Sequence, residues 1–401
     1  MMFKPDFICP YCFEKHKHSS AQFRCINTRC KDFDDIEMTR YENGNLSVPR
    51  KGKKTFGASS RALPRQAACP ECGKTTYKIV CPSCHNTLPE STLNGKDMII
   101  SIVGSRDAGK SHFVGVIINE LIERIAPKLF GGAMAAFDDT MQRYQRNFAR
   151  NLYVDMKKLE LTRSSQVDVN NGAYRPLIFT LNVNHKSMFN RNTIDSYTFV
   201  FFDTAGEDLN DEDTMNTVNK YICKSAGIIF LLDPLQIPAV ANQLDAWTVS
   251  RASSVDWRRA ARPDDIIARV SNLIRYDRNI RSNEKIKIPV AAVFSKYDVI
   301  EPIVPRGCAI SDPSPHCAKK TFDSTDAYNV SSEIQGLLKT WGADSFMTQL
   351  DINYTAYSYF AVSALGMHNN PKDDSTIDRP RPHRIEDPLL WIMKENGVLK
   401  G

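Results

Sequence analysis

At 401 residues, with 42% apolar and 24% charged side chains, the chain can bury an ample core in two or three domains, and wholesale disorder is excluded. Its formal charge of +6 argues for nucleic acid only until the cysteines are counted: eight thiolates would remove eight charges and two Zn²⁺ would return four, leaving +2. No apolar run approaches the roughly 20 residues of a membrane helix, so the expected setting is the cytoplasm with no membrane partner.

Eight of the eleven cysteines precede Leu88, as Cys9-Pro-Tyr-Cys12, Cys25-x4-Cys30, Cys69-Pro-Glu-Cys72 and Cys81-Pro-Ser-Cys84. Four such knuckles match two tetrahedral Cys₄ zinc sites. Taken in chain order they form a looser set, Cys9, Cys12, Cys25 and Cys30, and a tighter one, Cys69, Cys72, Cys81 and Cys84, with zinc-ribbon spacing. The spacing also leaves interleaved pairing open. Disulfides would need an oxidising compartment, and no signal peptide is read in Met-Met-Phe-Lys-Pro-Asp. An iron–sulfur cluster fits the spacing less well, and a thioredoxin-like context is absent. His16, His18 and His85 read as surface groups or neighbours of the sulfurs. Residues 1–92 form this module, and 42–68, rich in Gly, Ser, Lys and Arg, read as a basic linker or loop. Two basic stretches, Arg50–Lys54 and the eight arginines from Arg251 to Arg281 around Trp257 and Tyr276, read as solvated faces, with RNA or partner docking as the alternative.

Residues 93–401 read as the second domain. Met98–Val103 is an apolar, β-branched run expected to form a buried strand. Gly104, Ser105, Arg106, Asp107, Ala108, Gly109, Lys110 and Ser111 then spell G-x-x-x-x-G-K-S, followed by His112 and a helical pattern from Val114 to Ile125. Strand, glycine turn and helix is the context of a phosphate loop. Its glycines let the backbone approach a polyphosphate, and its N–H groups and the helix N-terminus face the anion. Lys110 would bridge the β- and γ-phosphates, and Ser111 would hold Mg²⁺. Arg106 could stabilise γ-phosphate charge or face solvent.

The interval after Ala126 predicts a helical insert over about 126–165, with Phe137, Met141, Tyr144, Phe148, Leu152 and Met156 at helical steps from Met134 to Leu161. Thr162 is the candidate to close over Mg²⁺, with Thr140, Ser164 and Ser165 as rivals. Strands are expected near 98–104, 176–184, 197–203, 226–232, 288–294 and 356–362, the second of them running antiparallel. After the third comes Asp203-Thr-Ala-Gly206, in which Asp203 would hold the Mg²⁺ shell and Gly206 would sense the γ-phosphate. Glu207 stands next, where it could orient or repel. After the strand at 288–294 comes Ser295-Lys296-Tyr297-Asp298. This segment resembles the N/T-K-x-D signature of GTPases, which implies that the Asp298 carboxylate pairs with guanine N1–H and the exocyclic amine, a donor pair adenine lacks. The Lys296 stem can pack on a base. Ser363-Ala364-Leu365 follows the last strand. A closing amphipathic helix carries Pro388 in its first turn.

In this order the motifs resemble those of TRAFAC-class P-loop GTPases, from Met98 to the C-terminus. The resemblance implies an α/β P-loop NTPase fold: a mostly parallel sheet with helices on both faces, here joined to a small N-terminal zinc-ribbon module. It also implies GTP/GDP and Mg²⁺ as ligands, slow GTP hydrolysis, and contact between the backbone of Ser363, Ala364 and Leu365 and the guanine oxygen. Ser295 departs from the usual Asn or Thr, and Glu207 from the frequent catalytic Gln. The overall organisation and Arg175-Pro-Leu-Ile-Phe179 also resemble bacterial double-GTPase (DO-GTPase) proteins of conflict and antiphage defence systems. The expected function is a cytoplasmic GTP-dependent switch that hydrolyses GTP and signals to protein partners, an effector or a GTPase-activating subunit. The alternatives are an RNA-binding or translation-linked GTPase, and a nucleotide-binding interaction module without turnover.

Overall fold

The computed structural model describes residues 6–42, 45–58, 62–94, 96–159, 175–186, 192–202, 220–245, 248–249, 252, 262–366 and 376–399. Its centre is a mixed sheet of seven strands. These are β1 (Asp97–Gly104), β2 (Ala133–Ala136), β3 (Leu177–Lys186), β4 (Asn192–Phe201), β5 (Gly227–Leu232), β6 (Val290–Phe294) and β7 (Tyr357–Ala361). The spatial order is β2-β3-β4-β1-β5-β6-β7. From β4 to β7 every pairing is parallel, and β2 and β3 add an antiparallel edge.

The composition of the strands explains their place. β5 (Gly-Ile-Ile-Phe-Leu-Leu) and β6 (Val-Ala-Ala-Val-Phe) are buried along their whole length, as parallel strands covered on both faces must be. Ile99, Val103, Ile228 and Phe230 face one layer, packed with the helices Pro263–Arg278, Ser324–Thr340 and Asp344–Asn353. Ile100, Ile102, Ile229 and Leu231 face the other, against the helix Lys110–Glu120 and the C-terminal helix Asp387–Glu395. Pro388 sits in the first turn of that last helix, as expected.

Two expectations need correction. The helix read from Met134 begins six residues later. Met134 is buried between exposed Ala133 and Ala135, and this segment is β2, paired with β3 from Ala133↔Asn182 to Ala136↔Phe179. Helix resumes only at Thr140–Tyr144 and runs through wider turns at Gln145–Ala149 into Arg150–Tyr153. An edge strand of four small residues has too short an alternation to outweigh the helical spacing around it.

The segment 42–68 is not simply a linker. Lys51–Lys53 pairs with Asp32–Asp34, and Thr55–Gly57 pairs with Gln22–Arg24, which also pairs with Ile79–Val80. The basic composition hid a strand that is held by opposite charges across the ladder, Lys51 on Asp34 and Lys53 on Asp32.

Candidate functional site

The G-x-x-x-x-G-K-S segment occupies the turn that leaves β1 at the carboxyl edge of the parallel strands. Gly104 lies so close to β5 that a Cβ would sit 2.6 Å from the Leu231 carbonyl oxygen. Asp107 and Gly109 adopt left-handed φ values of 63° and 81°, and the helix starts directly at Lys110. Lys110 is only 9% exposed. Its Nζ donates to the carbonyls of Gly104 (3.0 Å) and Ser105 (2.8 Å), so the ammonium is held over the loop's own backbone. Ser105 accepts a hydrogen bond from Gln236 on the β5 side. Ser111 is half-buried and Arg106 is exposed. His112 Nε2 accepts from the Leu159 N–H at 3.1 Å, so its proton sits on Nδ1 and the ring positions the chain just ahead of 160.

The neighbouring strands deliver the other loops to the same edge, where open parallel sheets place their ligands. Ser295, beyond β6, donates from both N and Oγ to the Leu232 carbonyl (2.9 and 3.0 Å). The Tyr297 N–H donates to Val362 at 3.0 Å. The loop is thereby stitched to β5 on one side and to the end of β7 on the other, with the Ser295 hydroxyl reaching the adjacent strand. Lys296 between them takes φ 56°, a left-handed conformation that such stitching enforces. Its Nζ meets Asp233 Oδ2 (2.8 Å), the Ala252 carbonyl (2.7 Å) and Asp107 Oδ2 (3.6 Å). Burial alone would lower the Lys296 pKa, but Asp233 and then Asp107 outweigh it and the net shift is upward. The Asp298 carboxylate is half-buried, and no hydrogen bond or ion pair engages it among the described residues. Beyond β7, Ser363 exchanges backbone hydrogen bonds with His383 (3.1 and 2.9 Å) and its hydroxyl accepts from Gly366 N–H. Ala364 and Leu365 are half-buried beside it.

Thus Gly104–His112, Ser295, Lys296, Asp298 and Ser363–Leu365 lie beyond β1, β6 and β7 at one edge of the sheet, and Asp107 and Lys296 join two of those loops directly. Asp203, Gly206, Glu207 and Thr162, with Ser164 and Ser165, lie outside the described residues. The rival Thr140 is 1% exposed and its Oγ1 accepts from Ile178 N–H, so it is committed to the fold. Sequence reading missed Asp233 and Gln236. The signal for Asp233 was present, since an acid ending an apolar strand (Leu-Leu-Asp-Pro) is the argument already applied to Asp203.

The eight cysteines gather into two tetrads, and their pairing corrects the grouping by chain order. Cys9, Cys12, Cys81 and Cys84 form one; Cys25, Cys30, Cys69 and Cys72 form the other. The pairs are nested, outer with outer and inner with inner. None is in a disulfide. Sulfur–sulfur separations of 3.7 and 3.8 Å in the first and 3.6 and 4.0 Å in the second match the roughly 3.8 Å edge of a tetrahedron with 2.3 Å metal–sulfur bonds. Each tetrad could hold a zinc ion.

Three knuckles share one turn. The N–H of Phe13, Gly73 or His85 returns to the carbonyl of Cys9, Cys69 or Cys81, and each of those three residues has a left-handed φ, of 58°, 66° and 55°. His16 Nε2 lies 3.4 Å from Cys81 Sγ and so supports the first tetrad from outside, while His85 Nδ1 binds Asp35. The first tetrad belongs to the same apolar cluster as one face of the main sheet: Phe13 packs on Phe202 and Tyr221, with centroids 6.0 and 5.3 Å apart. The second has its own small cluster with Phe56.

A third group, His316, Asp326 and Asp387, is close enough to suggest a metal, but its chemistry argues otherwise. His316 Nδ1 accepts the Asp323 N–H at 3.0 Å, so a neutral ring carries its proton on Nε2, facing Asp387 at 3.5 Å, and offers no lone pair there. Arg384 already supplies the cation, bonded to both carboxylates. Among the described residues several members of the basic stretches have partners within the chain, while Arg251, Arg258 and Arg259 lie outside the described residues. Arg50 pairs with Glu42, Lys54 lies over the Phe33 ring, Arg262 pairs with Asp264, and Arg275 and Arg278 bond to backbone carbonyls. Among the described residues no helix is long and apolar enough to cross a membrane.

No protein-family model matches the chain. Over 337 residues it is 25% identical to a Mycolicibacterium smegmatis protein named "Putative ESX-1 scaffolding and assembly protein SaeC", a match that takes in 80% of each chain.

Proposed function

We propose that this protein is a guanine-nucleotide-binding P-loop switch that hydrolyses GTP with Mg²⁺, stabilised by two zinc ions and read by protein partners. The observation that carries the proposal is the convergence at one sheet edge of a G-x-x-x-x-G-K-S turn, an S-K-x-D loop and an S-A-L loop. Lys110 would exchange the carbonyls of Gly104 and Ser105 for β- and γ-phosphate oxygens, a trade of neutral acceptors for charged ones. The loop amides from Ser105 to Ser111 would cradle the phosphates, and the Asp298 carboxylate, which has no described partner, would accept from the guanine edge. Ser111 and Asp203 are the residues to hold Mg²⁺, which would neutralise charge developing on the transferred phosphoryl group. Water attack on the γ-phosphate would then draw on Arg106, Glu207 and Thr162 or on a partner's side chain. The tetrahedral sulfur spacing supports Zn²⁺ in both tetrads.

The name of the mycolicibacterial relative favours a second emphasis: nucleotide binding that controls assembly with other proteins, with turnover resetting the assembly or absent altogether. Defence-system signalling, implied by the double-GTPase resemblance, would use the same partner-directed switch. Titration calorimetry with Mg²⁺ and either GTP, ATP or xanthosine triphosphate tests the core claim. Wild type should prefer GTP, and Asp298→Asn should shift preference toward xanthine. Equal affinity of wild type for GTP and ATP refutes the guanine reading.

A further inference from the structure

Two carboxylates from different loops converge on one lysine. Asp233 directly follows β5 and is 2% exposed. Its Oδ1 accepts the Leu235 N–H at 3.0 Å and its Oδ2 binds Lys296 Nζ at 2.8 Å, so both of its oxygens are fixed. Asp107 approaches from the phosphate-loop motif, its carboxylate 3.6 Å from the same ammonium. The Ala252 carbonyl supplies a third oxygen at 2.7 Å. A carboxylate as buried as Asp233 persists as an ion only with such a partner. The consequence for Lys296 is directional. With its backbone held left-handed by the Ser295 and Tyr297 hydrogen bonds and its ammonium held by three oxygens, the four-carbon stem between them is pinned at both ends. A pinned apolar stem is a platform for a flat ring.

We infer that Asp233 is a positioning residue for nucleotide binding: from the end of β5 it fixes Lys296 as the platform under the base and, through Lys296, ties that platform to Asp107 in the phosphate-loop motif. The inference rests on the guanine-nucleotide reading above and deepens it. Asp233 thereby acts on recognition of the ring through Lys296, while the phosphate tail is left to the loop amides and Lys110.

The test uses the full chain, loaded with zinc, and titration calorimetry with Mg²⁺–GTP and with Mg²⁺–tripolyphosphate, which has the tail without the base. Asp233→Asn should lower GTP affinity by about tenfold, or 1.4 kcal/mol, and leave tripolyphosphate affinity within about twofold. Because removing one partner strands a buried ammonium, Lys296→Met and the double variant are measured too. In the Lys296→Met background Asp233→Asn should have no further effect on GTP. Wild-type GTP affinity in Asp233→Asn overturns the inference, as do equal losses for GTP and tripolyphosphate, or an Asp233→Asn effect that persists without Lys296. If wild type shows no guanine preference, the function proposed above fails instead, and the inference with it.

Discussion

Asp97, the first residue of β1, should make the stability of this protein depend on pH in an unusual direction. Its Oδ2 accepts the N–H of Ile8, next to Cys9, at 3.3 Å, while its Oδ1 is buried without a partner. Burial pushes its pKa from 3.8 to about 7; hydrogen bonds from Ile8 and Thr92 pull the other way and lose. Between those two values the folded chain binds the proton and the unfolded chain does not. Stability contributed by this group is therefore fully present below about pH 4 and is lost as pH rises through 7. At about 1.4 kcal/mol per unit, the shift sets a ceiling of about 4 kcal/mol on the total, of which about 3 kcal/mol falls between pH 5 and pH 8. Water reaching the partly exposed side chain cuts that to roughly 1–2 kcal/mol. Asp97→Asn keeps an acceptor for Ile8 and cannot ionise. In urea titrations at matched pH, which cancel the titration of the cysteine tetrads, the variant should gain on wild type by about 1–2 kcal/mol from pH 5 to pH 8. A wild-type-to-variant difference that is flat over that range would refute the argument that burial governs Asp97.

Two further expectations concern the scaffold. Metal analysis should find about two zinc ions per chain, falling to one in Cys81→Ser and in Cys69→Ser. Only Cys81→Ser should lower the melting temperature of the whole chain, since only the first tetrad shares its apolar cluster with the main sheet; metal held a thousandfold above its Kd is worth about 4 kcal/mol. Arg384→Met should cost about 3–5 kcal/mol in chemical denaturation, because the 1%-exposed Arg384 side chain neutralises Asp387 and Asp326 and its loss strands a buried carboxylate; a loss below 1 kcal/mol would contradict that role.

The amino-acid sequence alone determined what is local in this protein. Continuous apolar runs marked β5 and β6 because a strand buried on both faces favours apolar side chains at every position. The glycine-lysine-serine turn was legible because its geometry is set within eight residues, and three of the knuckles because a Cys-Pro-x-Cys turn closes on itself. The tertiary structure decided what depends on distant partners. Spacing within knuckles carries no information on which knuckles meet, so the nesting of Cys9 with Cys84 and of Cys30 with Cys69 had to come from the fold. The Lys51–Lys53 strand was hidden in a basic stretch because its stabilisation lies on Asp32 and Asp34. Asp233 resembled any strand-ending acid until Lys296, 63 residues later, was brought onto it. Short-range torsional and burial preferences are written in the order of residues, whereas charge pairing and metal-site membership are properties of positions in space.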